Sequence, residues 1–117
     1  MELHDLVEAI LAGDLLRARQ WVADARRNAI DWELVDPIED VDGRALVVGA
    51  AVAELLAARA GSRPPSWTST VGAHREPIVL DPGLESMPRS FAYAKSHGPA
   101  PFRNRNLIVL PDFLDVA

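Results

Sequence analysis

The chain has 117 residues, 49% of them apolar and 25% charged, the composition of one ordinary folded domain rather than a disordered segment. With no cysteine it has no disulfide, thiolate zinc site, iron–sulfur cluster or thiol nucleophile. The net charge of −5 divides into six Arg against twelve Asp and Glu over residues 1–61, and six basic against five acidic residues over 62–117; neither half supplies the basic face that duplex DNA requires.

The opening MELHDLVEAI carries acids where an export signal needs positive charge, and no uncharged run approaches the roughly 20 residues that span a bilayer. The expectation is a cytoplasmic protein with no membrane span. Leu3, Leu6, Val7, Ile10 and Leu11 follow a 3.6-residue period, which predicts an amphipathic helix over 2–12 ended by Gly13. Asp14 is a natural N-cap for a second helix with Leu15, Ala18, Val22 and Ala25 on one face, so the two form an antiparallel hairpin. The next segment, NAIDWELVDPIEDVDG, reads as a short helical turn and then a loop, with Trp32 and Leu34 as apolar anchors.

Asp42 can cap a third helix, Arg44 to Ala60, which exits through Gly61. Its sequence RALVVGAAVAELLAARA is apolar on most of its circumference, and Gly49, Ala50 and Ala53 would let the first hairpin approach closely. Eight of the nine prolines lie from Pro64 onward, yet this half also holds Trp67, Ile78, Leu80, Phe91, Phe102, Leu107, Val109, Phe113 and Leu114. Such side chains contribute roughly 1.5–3 kcal/mol each when buried, so the segment should wrap the helices. Within it we read a strand at 78–80, a helix over 89–97 with Pro88 at its start, a turn at 101–105 and a strand at 107–110 able to pair with the first. The expected class is therefore mainly α with a small β element (α+β), in one domain whose helical half is 1–61 and whose Pro-rich wrapping half is 62–117.

Motifs for chemistry are missing. His4, His74 and His97 fall in three separate predicted elements without HxxxH or HExxH spacing, so they read as surface residues and no metal is expected. No GxSxG elbow, GxxxxGK[ST] loop or GxGxxG turn occurs, and no catalytic residue or cofactor is assigned. Glu39, Asp40 and Asp42 lack the alternation of a calcium loop and read as a solvated turn.

The stretch PSWTSTVGAHREPIVL (65–80) places Trp67, His74, Arg75 and Glu76 together. Either Glu76 acts as a base beside His74 or Arg75 at a pocket, or Trp67 plugs the core with its indole N–H on a carbonyl while Glu76 accepts bonds from nearby N–H groups or a C-terminal Arg. The second reading makes the stretch a strap, with His74 and Arg75 as a contact edge. In Phe102-Arg103-Asn104-Arg105-Asn106, the aromatic and the arginines either touch RNA or set arginines against the acidic N-terminal half, in this chain or in a partner.

The hairpin AILAGDLLRARQWVADA is similar to the helical cap domains of cobalamin-binding proteins; the DxHxxG motif those use is absent, so the resemblance implies a hairpin and no cofactor. From about residue 42 the order DGRALVV, AARAG, PSWT, EPIVL, MPR and GPAPFRNRNLIVLPDFL resembles a group of small actinobacterial proteins. Its W-T, E-P and Arg-rich tail segments are similar to the C-terminal part of antitoxins that pair with nucleotidyltransferase-like toxins. The resemblance implies protein-partner binding, with Trp67, Glu76, Pro77, Phe102, Arg103 and Arg105 as the matching positions. Two departures matter: a helical hairpin stands where those antitoxins carry a DNA-binding domain, so no direct DNA binding is expected, and Asn106 stands where Gly is common. The leading expectation is a non-enzymatic, antitoxin-like neutraliser of a cytoplasmic toxin or enzyme. The alternatives are a small enzyme or ligand-binding domain with His74, Glu76 and Arg105 between strap and third helix, and a homo-oligomer using the third helix.

Overall fold

Two amphipathic helices, α1 (Leu3–Leu11) and α2 (Leu15–Arg27), open the computed structural model, which describes residues 2–39 and 43–115. Leu3, Leu6, Val7 and Ile10 form the buried stripe of α1, as their spacing implies. The helix stops in a Schellman turn: Gly13 takes φ +75°, and the Asp14 amide donates to the Ala9 carbonyl at 2.9 Å. Asp14 then caps α2 by accepting from the Arg17 amide at 3.1 Å. The Trp21 indole donates to the Glu2 carbonyl (3.1 Å), which lays α2 antiparallel along α1.

A 3-10 turn at Trp32–Leu34 follows, and it corrects one expectation. Trp32 is buried, but Leu34 is 76% exposed. Residues two apart in a threefold helix lie on different sides, so one short turn cannot bury both. The central helix α3 (Arg44–Arg59) is buried around most of its circumference, with Val48, Ala50, Ala51, Val52 and Ala53 fully enclosed. Gly43 occupies its N-cap position; the expected cap, Asp42, lies outside the described residues, as does Asp40 of the acidic turn. α1 packs on α3 as expected, with Val7 3.7 Å from where a Cβ of Gly49 would sit, but the tightest neighbour there is Ile38 of the preceding loop, its Cδ1 at 2.7 Å.

The C-terminal half builds a small parallel β unit. β1 (Ile78–Val79) and β2 (Leu107–Ile108) pair Ile78 with Leu107 and Val79 with Ile108. Parallel strands need a crossover, and α4 (Pro88–His97) with α5 (Ala100–Arg103) supplies it. Both strands are shorter than the sequence suggests, because Leu80 adds one ladder bond to Ile108 and the Leu110 amide turns to the Asp81 carboxylate at 2.7 Å. Gly98 joins the two crossover helices where a Cβ would meet the Val109 and Ala94 carbonyl oxygens at 2.7 and 2.8 Å. The main buried cluster takes side chains from both halves of the chain, including Leu6, Trp32, Val52, Leu80, Phe102 and Leu114, and a smaller one gathers Leu84, Ala94 and Ile108 beneath α4. The fold is mainly α with a small β element.

α1, α2 and α3 each end in a Schellman turn, with amide-to-carbonyl bonds Asp14 to Ala9, Ile30 to Ala25 and Ser62 to Ala57. Gly13 and Gly61 supply the left-handed residue in two of them, but Ala29 supplies the other at φ +48°. Ala29→Gly should therefore raise stability by about 0.5–1 kcal/mol in a thermal or urea melt, relieving a Cβ strain that outweighs the added freedom of the unfolded chain. Gly98→Ala should lower it by about 1–3 kcal/mol, because the obstructing atoms are backbone.

Candidate functional site

The strap begins with a local device. At Ser66–Thr70 the hydroxyls of Thr68, Ser69 and Thr70 each donate to the carbonyl three residues back, at 3.0, 3.0 and 2.8 Å, and wind a 3-10 turn at the start of the strap. Trp67 within it is half-buried against the core, and its indole donates to the Val35 carbonyl at 2.8 Å. Its partner is the loop before α3, so it pins the strap to that loop at Val35 as well as to the core.

Arg105 closes the other end and is only 6% exposed. All five of its N–H groups are used. Nη1 and Nη2 donate to Glu54 Oε1 and Oε2 of α3 at 2.7 and 2.9 Å, Nη1 to the Pro101 carbonyl at 3.0 Å, Nη2 to the Thr68 carbonyl at 2.9 Å, and Nε to the Val71 carbonyl at 3.1 Å. Burial alone would raise the Glu54 pKa; the Arg105 hydrogen bonds and charge outweigh it and hold the carboxyl below its ordinary 4.5. Asp81 behaves oppositely. Burial raises its pKa, with Asp112 adding to the rise, against the opposing Leu110 amide and the charge of Arg19.

These contacts rearrange the expected binding set. Arg105 faces the acidic N-terminal half through Glu54, not Glu76, and presents nothing to a partner. Phe102 is likewise removed: it is fully buried, edge-on to Phe113 at 5.4 Å between centroids, because the α5 turn that sends Arg105 to Glu54 also carries residue 102 into the core. Both assignments to a partner surface are therefore corrected. His74, Arg75, Glu76 and Arg103 remain on the outside, with His74 half-buried. His74 Nδ1 lies 2.8 Å from the Glu76 carbonyl oxygen and 3.2 Å from its amide nitrogen, closing the 74–76 turn on itself. Arg103 Nε donates to the Gly98 carbonyl at 2.6 Å. His74, Glu76 and Arg105 thus do not converge on one concave site. Asn106 sits at φ +65°, a left-handed position that Asn and Gly tolerate; its amide donates to the His74 carbonyl at 3.3 Å.

The larger open hollow lies elsewhere. A groove of about 910 Å³ runs between the start of α1, the end of α2 and residues 30–39. Glu2, Asp31, Asp36 and Glu39 supply carboxylates, Trp21, Ile30 and Ile38 supply apolar surface, and among the described residues no Arg or Lys lines it. Leu34 stands exposed on its wall. Trp21 is fixed there by its bond to Glu2 and by the Trp32 ring, 6.3 Å away. Sequence reasoning missed this groove although its signal was present: five acids between 31 and 40 around Trp32 and Leu34, in a segment read as a short helical turn and then a loop. A second hollow of about 780 Å³ lies between the ends of α2 and α3 and the C-terminal segment, where Arg59 donates to the Phe113 and Pro111 carbonyls at 2.8 and 3.3 Å.

Among the described residues no group of three or more His, Asp or Glu is placed to hold a metal ion, and no helix is long and apolar enough to cross a membrane. No family model, curated protein or solved structure matches the chain.

Removing Arg105 strands a carboxylate that keeps some solvent access, so Arg105→Ala should cost about 3 kcal/mol in urea unfolding. The pH dependence has a defined sign. Because the Glu54 pKa is depressed in the folded state, its stabilisation is present above about pH 4.5 and is lost as pH falls through the folded value. Asp81, with its pKa raised, favours the folded state when protonated, so its contribution is lost as pH rises through its folded value. In urea titrations from pH 7 downward, Glu54→Gln should flatten the acid loss, whereas Asp81→Asn should leave that loss in place and raise stability at neutral pH.

Proposed function

We propose that the chain is a non-enzymatic protein-binding module, an antitoxin-like neutraliser that holds a cytoplasmic toxin or related enzyme through a basic segment of that partner. The observation that carries this reading is the acidic groove, with four carboxylates, an exposed Leu34 and no Arg or Lys among its described lining residues. Enzymes that act on nucleotides or nucleic acids present basic surfaces to phosphate, and an acidic face complements them, speeding encounter and disfavouring other partners. The same field disfavours direct DNA binding. Leu34 provides the apolar anchor that charge alone lacks, since interface energy concentrates in a few desolvated side chains.

The experiment is co-expression with the product of the adjacent gene, read by co-purification and by rescue of growth where that product is toxic. Leu34→Ser and Asp36→Lys, both at exposed positions, should weaken the complex at least tenfold without shifting the melting temperature by more than a few degrees. Arg75→Glu, on the His74–Glu76 edge, should leave it unchanged. Loss of binding in Arg75→Glu with retention in the other two would move the surface to the strap, and absence of any complex or rescue would remove the reading.

A further inference from the structure

The exposed side of α4 is the chemical complement of the acidic groove. The helix sequence, PRSFAYAKSH, contains Arg89, Lys95 and His97 and no acid. Arg89, Tyr93 and His97 recur every four residues and so share one face. Tyr93 is 51% exposed, and its ring stacks on His97 with centroids 4.3 Å apart and planes 10° from parallel. Met87, just before the helix, is 45% exposed. Arg, Tyr and Met are residue types enriched in protein interfaces, and a stacked ring pair is already ordered before docking. The buried side of the helix is separate: Ala94 and Phe91 face the small cluster around Leu84 and Ile108.

Within one copy the two surfaces belong to different elements. α4 packs on the Leu84–Ser86 turn, α5 and β2, whereas the groove is built from α1, α2 and residues 30–39. We infer that the Arg89–Tyr93–His97 face of α4 docks in the acidic groove of a second copy of this chain. Arg89 then meets the carboxylates, and Tyr93 lies against Leu34 and Trp21. The two surfaces differ, so the contact is heterologous: copies add head to tail until a ring closes or a filament grows. The contact would compete with a basic partner for the groove, but it is tested with this chain alone and so stands or falls apart from the proposed neutralisation.

The test is the mass of the full chain by sedimentation velocity between about 1 µM and 1 mM, the range of weak to moderate specific association, at low salt and at about 0.5 M salt. The expected result is a mean mass that rises above one copy with concentration at low salt and falls back at high salt. Tyr93→Ser disables only the helix face and Asp36→Lys only the groove, and both positions are exposed, so each variant alone should remain single while keeping its circular dichroism. Mixed in equal amounts, they retain one intact contact between them and should form a discrete pair. Should Asp36→Lys fail to fold, Leu34→Ser replaces it in the mixture. A wild-type chain that stays single throughout, variants that associate like the wild type, or a mixture that stays single would each overturn the inference.

Discussion

A guanidinium cannot shed its charge, and inside a protein each of its five N–H groups must find an acceptor. Arg105 finds them in four separate stretches: Glu54 of α3, the turn at Thr68, the strap at Val71 and the first residues of α5 at Pro101. Much of the C-terminal half follows from meeting that demand. The strap must bring two carbonyls within about 3 Å of one side chain, a distance set by the hydrogen bond itself. The α5 turn must then face inward, which carries Phe102 onto Phe113. Immediately after Arg105, Asn106 takes its left-handed conformation and delivers Leu107 and Ile108 in register beside β1. The carboxylate benefits in turn, since bidentate pairing keeps Glu54 ionised against the cost of burial.

What could be read from the sequence follows from the range of the forces involved. The hairpin, the central helix and the helix begun by Pro88 depend on local periodicity and on caps at fixed spacing, and all three are where they were expected. The burial of Phe113 and Leu114 follows from hydrophobicity alone. The pairing of Arg105 with Glu54 spans 51 residues and leaves no periodic trace; a sequence shows two complementary charges but not which acids a given Arg will choose. Phe102 is the same failure seen from its neighbour, since an aromatic beside two arginines looks like a binding patch until one of those arginines is known to be buried. Leu34 failed for a different reason: a hydrophobic residue beside Trp32 reads as an anchor, but a single 3-10 turn has room for one of them inside. The 3-10 turn of the strap was written in the Ser-Trp-Thr-Ser-Thr run, whose hydroxyls bind backward to the chain and make a turn without any helical rhythm.

With Arg105 and Phe102 in the core, the surface divides by charge in a way that the composition foreshadowed. The N-terminal elements gather carboxylates around Trp21 and Leu34, while the crossover helix carries Arg89 and Lys95, no acid, and an exposed ring pair. The strap stretch that drew attention for its Trp, His, Arg and Glu is a structural closure for most of its length, with the His74–Glu76 turn as its outer edge. The strap fixes the groove wall indirectly, because Trp67 is bonded to Val35, whose neighbours Leu34 and Asp36 face the opening. The core clamp and the candidate binding surface are therefore linked through one short loop.

The central claim is that the Glu54–Arg105 pair acts as a unit that holds the C-terminal half to α3. A double-mutant cycle in urea unfolding tests it most directly, using Glu54→Met, Arg105→Met and the combination. Each single change leaves one charge without its partner, whereas the combination leaves none, so the double variant should be more stable than the sum of the single losses implies, by about 1–3 kcal/mol. Single losses that add to within about 0.5 kcal/mol would contradict the account, because residues that do not depend on one another behave that way.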